Sequence, residues 1–161
     1  MGPKGVLKLS QVQLPTYDVP LDEHGQGQFR HLLDHSQKHF STIGTITGGT
    51  KAFQAILVAN LAAQSKLSVL LVSSKEFNDY VAGDLANLFA KLQSDNVILF
   101  FDDADILLDE TMADFRDVLD RHILLKLAST RQGLTLFSVS NESVVAAMKL
   151  RSDHFIDIKA V

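Results

Sequence analysis

The chain has 161 residues, of which 46% are hydrophobic and 21% charged, a composition typical of one globular domain of ordinary size. Its net charge of −4, from 15 basic and 19 acidic residues, argues against broad electrostatic binding to nucleic acid. The chain contains no cysteine, which excludes disulfides and thiolate metal sites.

The first 27 residues differ in composition from the rest. They contain all three prolines and four of the nine glycines, which predicts an extended N-terminal segment over 1–27 before an α/β core over 28–161. This segment lacks the apolar stretch of a secretory signal, and no run in the chain approaches the roughly 20 apolar residues that span a bilayer. We therefore expect a cytoplasmic protein that does not bind membranes.

From residue 28 onward, helical and strand patterns alternate along the chain. In chain order we predict helix 28–39, strand 41–46, a helix around 53–61, strand 68–73, helix 77–92, strand 97–101, helix 112–127, strand 134–139, helix 142–150 and strand 155–158. Such alternation predicts a five-stranded, mainly parallel sheet with helices on both faces, a three-layer α/β domain. Ligands of such sheets bind at the carboxyl ends of the strands.

A glycine-containing segment follows the first predicted strand and precedes a helix. Gly48, Gly49, Thr50 and Lys51 offer flexible backbone N–H groups and a cation, which a phosphate-binding loop requires. The match to G-x-x-x-x-G-K-[ST] is imperfect in either register. If Lys51 is the phosphate lysine, Thr50 replaces a glycine and Ala52 the Mg²⁺-binding hydroxyl; if Gly44 and Gly49 set the register, Thr50 takes the lysine position. A plain tight connection between strand and helix explains the segment equally well.

Two polar strand ends complete the candidate site. The apolar run Val97–Phe101 ends at Asp102 and Asp103, where one carboxylate could hold Mg²⁺ and the next could orient water. The strand 134–139 is followed by Asn141, whose amide could face a phosphate or could cap the next helix. We expect Lys51 to meet Asp102 and Asp103 across neighbouring strands at one rim of the sheet.

This order of motifs resembles the core of the AAA+ ATPases over roughly residues 28–161. The resemblance implies a P-loop NTPase sheet with strand order 5-1-4-3-2, ATP and Mg²⁺ as ligands, and action in an oligomer or with a protein partner. It also implies that Asp102 is the Walker B aspartate, that Asp103 takes the place of the catalytic glutamate, and that Asn141 is the sensor 1 residue. Any contact with nucleic acid would then be indirect.

The chain departs from the family pattern at several points. Asp103 is one methylene shorter than glutamate, and Ala52 cannot contact a metal. The helical lid of the family, with its sensor 2 residue, does not follow the fifth predicted strand. Three arginines are positional candidates for an arginine finger: Arg116, Arg121 and Arg131.

A histidine stripe lies on the first predicted helix. His31, His35 and His39 are spaced by four residues and share a helix face, which suits either a transition-metal site or a solvated surface.

Two functions are therefore open at this stage. One is an AAA+-like ATP-binding domain with weak or impaired hydrolysis that acts in a larger assembly. The other is a non-catalytic AAA+-like scaffold or adaptor that recruits a protein partner, for example in DNA replication or remodelling.

Overall fold

The computed structural model describes residues 21–36, 41–83, 86, 90, 97–111 and 114–158. Within these residues it contains five strands and six helices. In chain order they are α1 (Glu23–His35), β1 (Ser41–Gly48), α2 (Lys51–Ser65), β2 (Ser68–Val72), α3 (Ser74–Gly83), β3 (Val97–Phe101), α4 (Asp105–Leu108), α5 (Phe115–Thr130), β4 (Gly133–Ser138), α6 (Glu142–Arg151) and β5 (His154–Ile158).

The five strands form one parallel sheet in the order β2-β3-β4-β1-β5. Read from the other edge, this order is 5-1-4-3-2, so the predicted topology is confirmed. Because every strand runs in the same direction, all five carboxyl ends lie along one edge of the sheet. The turns after β1, β3 and β4 are therefore brought to the same rim.

The sheet separates two apolar cores, as strand alternation requires. In β3, Leu99 and Phe101 face the core under α3, α4, α5 and α6, where Phe101 stacks on Phe137 at a ring distance of 5.4 Å. Ile98 and Phe100 face the opposite core under α1 and α2. Burial of both faces explains why β3 is apolar throughout, and it gives the three-layer arrangement predicted from the sequence.

The first helix begins earlier than predicted. Asp22 caps α1 by accepting a hydrogen bond from the Gly25 backbone N–H at 2.8 Å, so residues 23–27, expected to be extended, are helical. Gly25 and Gly27 argued against a helix, but this cap and the burial of Leu32 in the α1–α2 core outweigh their low helix propensity.

Other differences from the predicted elements are small. The short helix α4 was not predicted, because four residues give too little periodicity to recognise. Most of the second half of the helix expected over 77–92 lies outside the described residues, as do Met112 and the extended segment expected over 1–20; residues 86 and 90 are described and are helical. No helix in the described part of the chain is both long and apolar enough to cross a membrane.

Candidate functional site at the carboxyl edge of the sheet

The connection between β1 and α2 is shorter than the sequence predicted. The first strand continues to Gly48, because Thr47 and Gly48 pair with Asp157 and Ile158 of β5. The helix α2 already begins at Lys51, so Gly49 and Thr50 alone connect the two elements. The loop expected over 47–51 is thus largely absorbed into strand and helix.

Gly48, at the end of β1, and Gly49, in the connection, allow close packing against β5. Gly48 has φ +78° and Gly49 has φ +63°, a conformation that side chains with a Cβ rarely adopt. A Cβ at Gly48 would lie within 3.0 Å of the Ile158 carbonyl oxygen, and a Cβ at Gly49 would lie 2.8 Å from Ile158 Cγ2. The Cβ side of both glycines therefore packs against the end of β5 and leaves no room there for a side chain.

Two side chains hold the connection in this shape. Thr50 caps α2, since its Oγ1 accepts a hydrogen bond from the Phe53 N–H at 3.1 Å. The buried Gln54 donates from Nε2 to the Gly48 carbonyl oxygen at 2.9 Å, and its Oε1 accepts from the Ser138 hydroxyl. Gln54 was not predicted as a residue of this site. Its signal in the sequence was a polar residue beside the apolar face of the helix predicted around 53–61.

Lys51 and Asp103 meet at the rim of the sheet. Lys51 Nζ lies 3.2 Å from Asp103 Oδ2, and both side chains are more than half exposed. The hydrogen bond to Asp103 raises the pKa of Lys51; desolvation opposes the shift, and the charges of Asp103, Asp102 and Asp105 add to it. We expected the two residues to follow neighbouring strands. They follow β1 and β3 instead, and β4 lies between these two strands.

Asp102 and Asp103 point to different surroundings. Asp103 has φ +55°, and its carbonyl oxygen accepts from the Ser74 hydroxyl at 2.9 Å. The half-buried Asp102 borders a cavity of about 60 Å³ between α2, β2 and β3. Its other lining residues are apolar: Ala55, Val58, Ala59, Val69, Leu71 and Phe100. The tight turn after β3 therefore separates the two carboxylates that the sequence placed in one site.

Asn141 and Asp105 organise the turn after β4. Asn141 Oδ1 accepts from the Ser143 N–H at 3.0 Å and the Val144 N–H at 3.4 Å, so this residue caps α6. The Asp105 carboxylate accepts from the backbone N–H groups of Ser140 and Asn141, at 2.9 and 2.7 Å. The helix-cap alternative for Asn141 thus describes its observed contacts, and Asp105 joins the β3 and β4 rims.

The three arginine-finger candidates differ in their burial and contacts. Arg131 is fully buried, so it cannot reach a neighbouring subunit and is wrong as an arginine-finger candidate. Arg121 donates to the Asp109 carbonyl oxygen at 2.6 Å. The side chain of Arg116 lies outside the described part of the structure.

The rim departs from a site for a nucleoside triphosphate with Mg²⁺ at several points. The connection between β1 and α2 contains only Gly49 and Thr50, and the Cβ side of Gly48 and Gly49 packs against β5. The position that would supply a metal-binding hydroxyl is Ala52. Among the described residues, no group of three or more His, Asp or Glu side chains is arranged to hold a metal ion.

The Lys51–Asp103 ion pair should contribute little to folding. In a double-mutant cycle with Lys51→Met and Asp103→Asn, we expect a coupling of about 0.2–1 kcal/mol at low salt, decreasing towards zero near 1 M salt, because exposed ion pairs are well solvated and screened. Chemical denaturation measures it. The Arg151–Glu110 pair, 3.1 Å apart and similarly exposed, is the matched control. A coupling above about 2 kcal/mol would instead indicate a desolvated pair.

Comparison with known proteins identifies the kind of fold that this chain has. No protein-family model matches the sequence, and no curated protein matches it. The structure is similar to two crystal structures of the FIGL-1 AAA domain, one of them in complex with ADP, with TM-scores of 0.64 and sequence identities of 14% and 15%. Each alignment covers 93% of this chain and 57% of the other, so the chain spans little more than half their length. The chain therefore has an AAA-like α/β fold, built on a five-stranded parallel sheet.

Proposed function

We propose that this chain is a non-catalytic AAA-like module that acts by binding a protein partner. The observation that supports the proposal is the short connection between β1 and α2, in which Gly49 and Thr50 alone link the strand to the helix. An anion site at a helix N-terminus needs several backbone N–H groups directed into an open concavity. Here Ile158 lies against the glycines, and Gln54 holds the carbonyl group of Gly48.

The groups that would carry out hydrolysis are committed elsewhere. Lys51 pairs with Asp103, so the phosphate-binding cation and the water-orienting carboxylate of the resemblance neutralise each other. Asn141 uses its side-chain oxygen to cap α6. Because phosphoryl transfer depends on positioning and charge, the loss of several parts together should remove turnover.

An apolar surface supports partner binding. Phe115 is 79% exposed at the start of α5, and Val118 and Leu119 follow it at helical spacing with 42% and 38% exposure. Ile106 on α4 and Leu150 on α6 are also exposed. The Arg151–Glu110 ion pair joins the end of α6 to the segment between α4 and α5. Exposed apolar side chains of this size are typical of protein-binding surfaces.

The second candidate is ATP binding with slow hydrolysis at most, within a larger assembly. The observation in its favour is that Lys51 and Asp103 do reach the same rim of the sheet, within 3.2 Å. A similar fold in the FIGL-1 AAA domain is also seen in complex with ADP. In this candidate Lys51, Gly48, Gly49 and Thr50 would contact phosphates, Asp102 would hold Mg²⁺, and Asp103 with Asn141 would serve hydrolysis.

Thermal unfolding with and without Mg-ATP separates the two candidates. A ligand present at 100 times its Kd stabilises the folded state by about 2.7 kcal/mol, so binding would raise the unfolding temperature measurably. We expect no shift with millimolar Mg-ATP or Mg-ADP. A saturable shift that is lost in Lys51→Ala and Asp102→Ala would contradict the non-catalytic module and support ATP binding. Light scattering of the full chain then tests one partner, a second copy: a discrete oligomer would support self-association, and a monomer would exclude it at the concentration used.

A further inference from the structure

A pair of histidines attaches α1 to the edge strand β5. His154 begins β5, pairs with Gly44 of β1 in the sheet and is 6% exposed. Its Nδ1 lies 3.0 Å from Gln28 Oε1, and its Nε2 lies 2.8 Å from His35 Nδ1. Both partners belong to α1, so one buried imidazole makes two polar contacts with one helix.

These contacts define the protonation state of the pair. If His154 donates from Nδ1 to Gln28 Oε1, its neutral Nε2 accepts a hydrogen bond from the Nδ1–H of His35. One added proton can still be accommodated, because His154 can then donate from Nε2 once His35 changes tautomer. A second proton would place two N–H donors opposite each other at this distance. The pair therefore holds together when it is neutral or singly protonated, and separates when both imidazoles are protonated.

The surroundings of His154 disfavour its charged form. The rings of His154 and His31 are 5.6 Å apart in an edge-to-face arrangement, and those of His154 and His35 are 4.7 Å apart. Desolvation is the largest cause that lowers the pKa of His154; the charges of His35 and His31 add to it, and Asp153 opposes them. The Asp153 carboxylate also accepts from the Ile43 N–H at 2.8 Å.

The remaining charges near the pair lie where α1 meets α2. His31 borders an open groove whose other charged residues are Arg30 and Asp34 of α1 and Lys66 after α2. Arg30 and Lys66 are cations, so neither can stabilise a protonated imidazole. The acidic residues here are Asp34, in the groove, and Asp153, beside His154, and they lie among two cations and three imidazoles.

We propose that His35 and His154 form a pH-sensitive latch that keeps α1 docked on β5 at neutral pH and releases it in acid. A lowered pKa of His154 in the docked state means that proton binding favours the released state, in which His154 returns to an ordinary pKa of about 6.5. Docking is therefore strongest above this value and weakens as the pH falls below it. Release would uncover the apolar core residues that Leu32 covers. It would also free α1, the helix that precedes β1 in the chain.

Hydrogen exchange of the full chain tests the latch. After correction for intrinsic exchange rates, we expect the protection of α1 amides to fall several-fold between pH 7.5 and 5, because release lets His154 bind a proton, while α5 amides change less. His154→Gln and His35→Gln should each reduce this pH dependence. His24→Gln, which alters an exposed histidine of the same helix, should preserve it. Equal pH dependence in all three variants, or none in the wild type, would overturn the proposal.

A second measurement covers variants that fail to fold. Titration of the wild-type imidazole resonances by NMR gives the pKa of each histidine directly. We expect the pKa of His154 to lie below the ordinary histidine value of about 6.5. A pKa for His154 at or above that value would overturn the latch regardless of how the variants behave.

Discussion

Replacing Arg131 by alanine is expected to destabilise the domain strongly. The arginine is fully buried; it donates from Nη1 to the Leu134 carbonyl oxygen at 2.7 Å and from Nη2 to the Val97 carbonyl oxygen at 3.0 Å. It thereby joins the starts of β3 and β4. Its removal leaves buried acceptors without a donor and a large cavity, for which we expect a loss of roughly 3–5 kcal/mol.

Urea denaturation of the Arg131 variants measures this loss. A domain of this size is stable by about 5–15 kcal/mol, so Arg131→Ala should lower the midpoint strongly or prevent folding. Arg131→Lys should recover only part of the stability, because an ammonium group cannot reproduce the planar, two-pronged donor geometry. Arg30→Ala, at an exposed position of α1, is the control and should change stability by about 0.5 kcal/mol or less. A similarly small effect for Arg131→Ala would show that β3 and β4 do not need the arginine.

Replacing Gly48 by alanine is expected to have the second-largest effect. The residue has φ +78°, which costs a residue with a Cβ about 1–2 kcal/mol. The added Cβ would also lie within 3.0 Å of backbone and side-chain atoms of Asp157 and Ile158, and backbone atoms of a paired strand cannot easily move away. Strain and steric overlap together should cost about 3 kcal/mol or more.

Gly27 provides the matched control for Gly48. A Cβ at Gly27 meets no atom within 4 Å, and the residue lies within α1, so Gly27→Ala should be neutral or stabilising by up to about 1 kcal/mol. Denaturation of both variants under the same conditions compares them. If Gly48→Ala were as stable as the wild type, β1 and β5 could not be packed as closely as described, and the β1–α2 connection would be open enough for a ligand.

The overall fold was predictable because its signals are long and redundant. Apolar runs such as 97–101 mark buried strands, and helical spacing between them fixes a parallel sheet with helices on both faces. The strand order came from the family resemblance of the polar strand ends rather than from periodicity. The boundaries were less predictable, since Asp22 starts α1 ahead of two glycines and pairing with β5 extends β1 by two residues.

The candidate site was only partly predictable. The contact between Lys51 and Asp103 followed from placing both residues at carboxyl ends of parallel strands. Whether Gly48 and Gly49 form an open phosphate loop could not be inferred, because glycine permits both a cradle and a tight turn. The hydrogen bond from Gln54 to the Gly48 carbonyl oxygen and the close approach of Ile158 bear on this choice, and both depend on packing that the local sequence does not show.

The histidine stripe illustrates the same limit. The spacing of His31 and His35 placed them on one helix face, but it could not reveal that β5 brings His154 against them. Metal binding and a solvated surface were the alternatives that the spacing left open, and His39, the third histidine of the stripe, lies outside the described residues. In the described part of the structure, His35 lies within hydrogen-bond distance of His154, and His31 makes an edge-to-face ring contact with it.

The central claim, that the β1–α2 connection is closed to phosphate, is tested most directly by the backbone amide resonances of this segment. Titration of the full chain with Mg-ATP, Mg-ADP and inorganic phosphate, followed by NMR, reports on Gly48, Gly49, Thr50 and Lys51 individually. The amides of Gly27 and Gly83, far from the rim along the chain, serve as internal references. We expect the four resonances to move no more than the references up to millimolar nucleotide. Saturable shifts confined to these four amides would contradict the closed connection and support a nucleotide site.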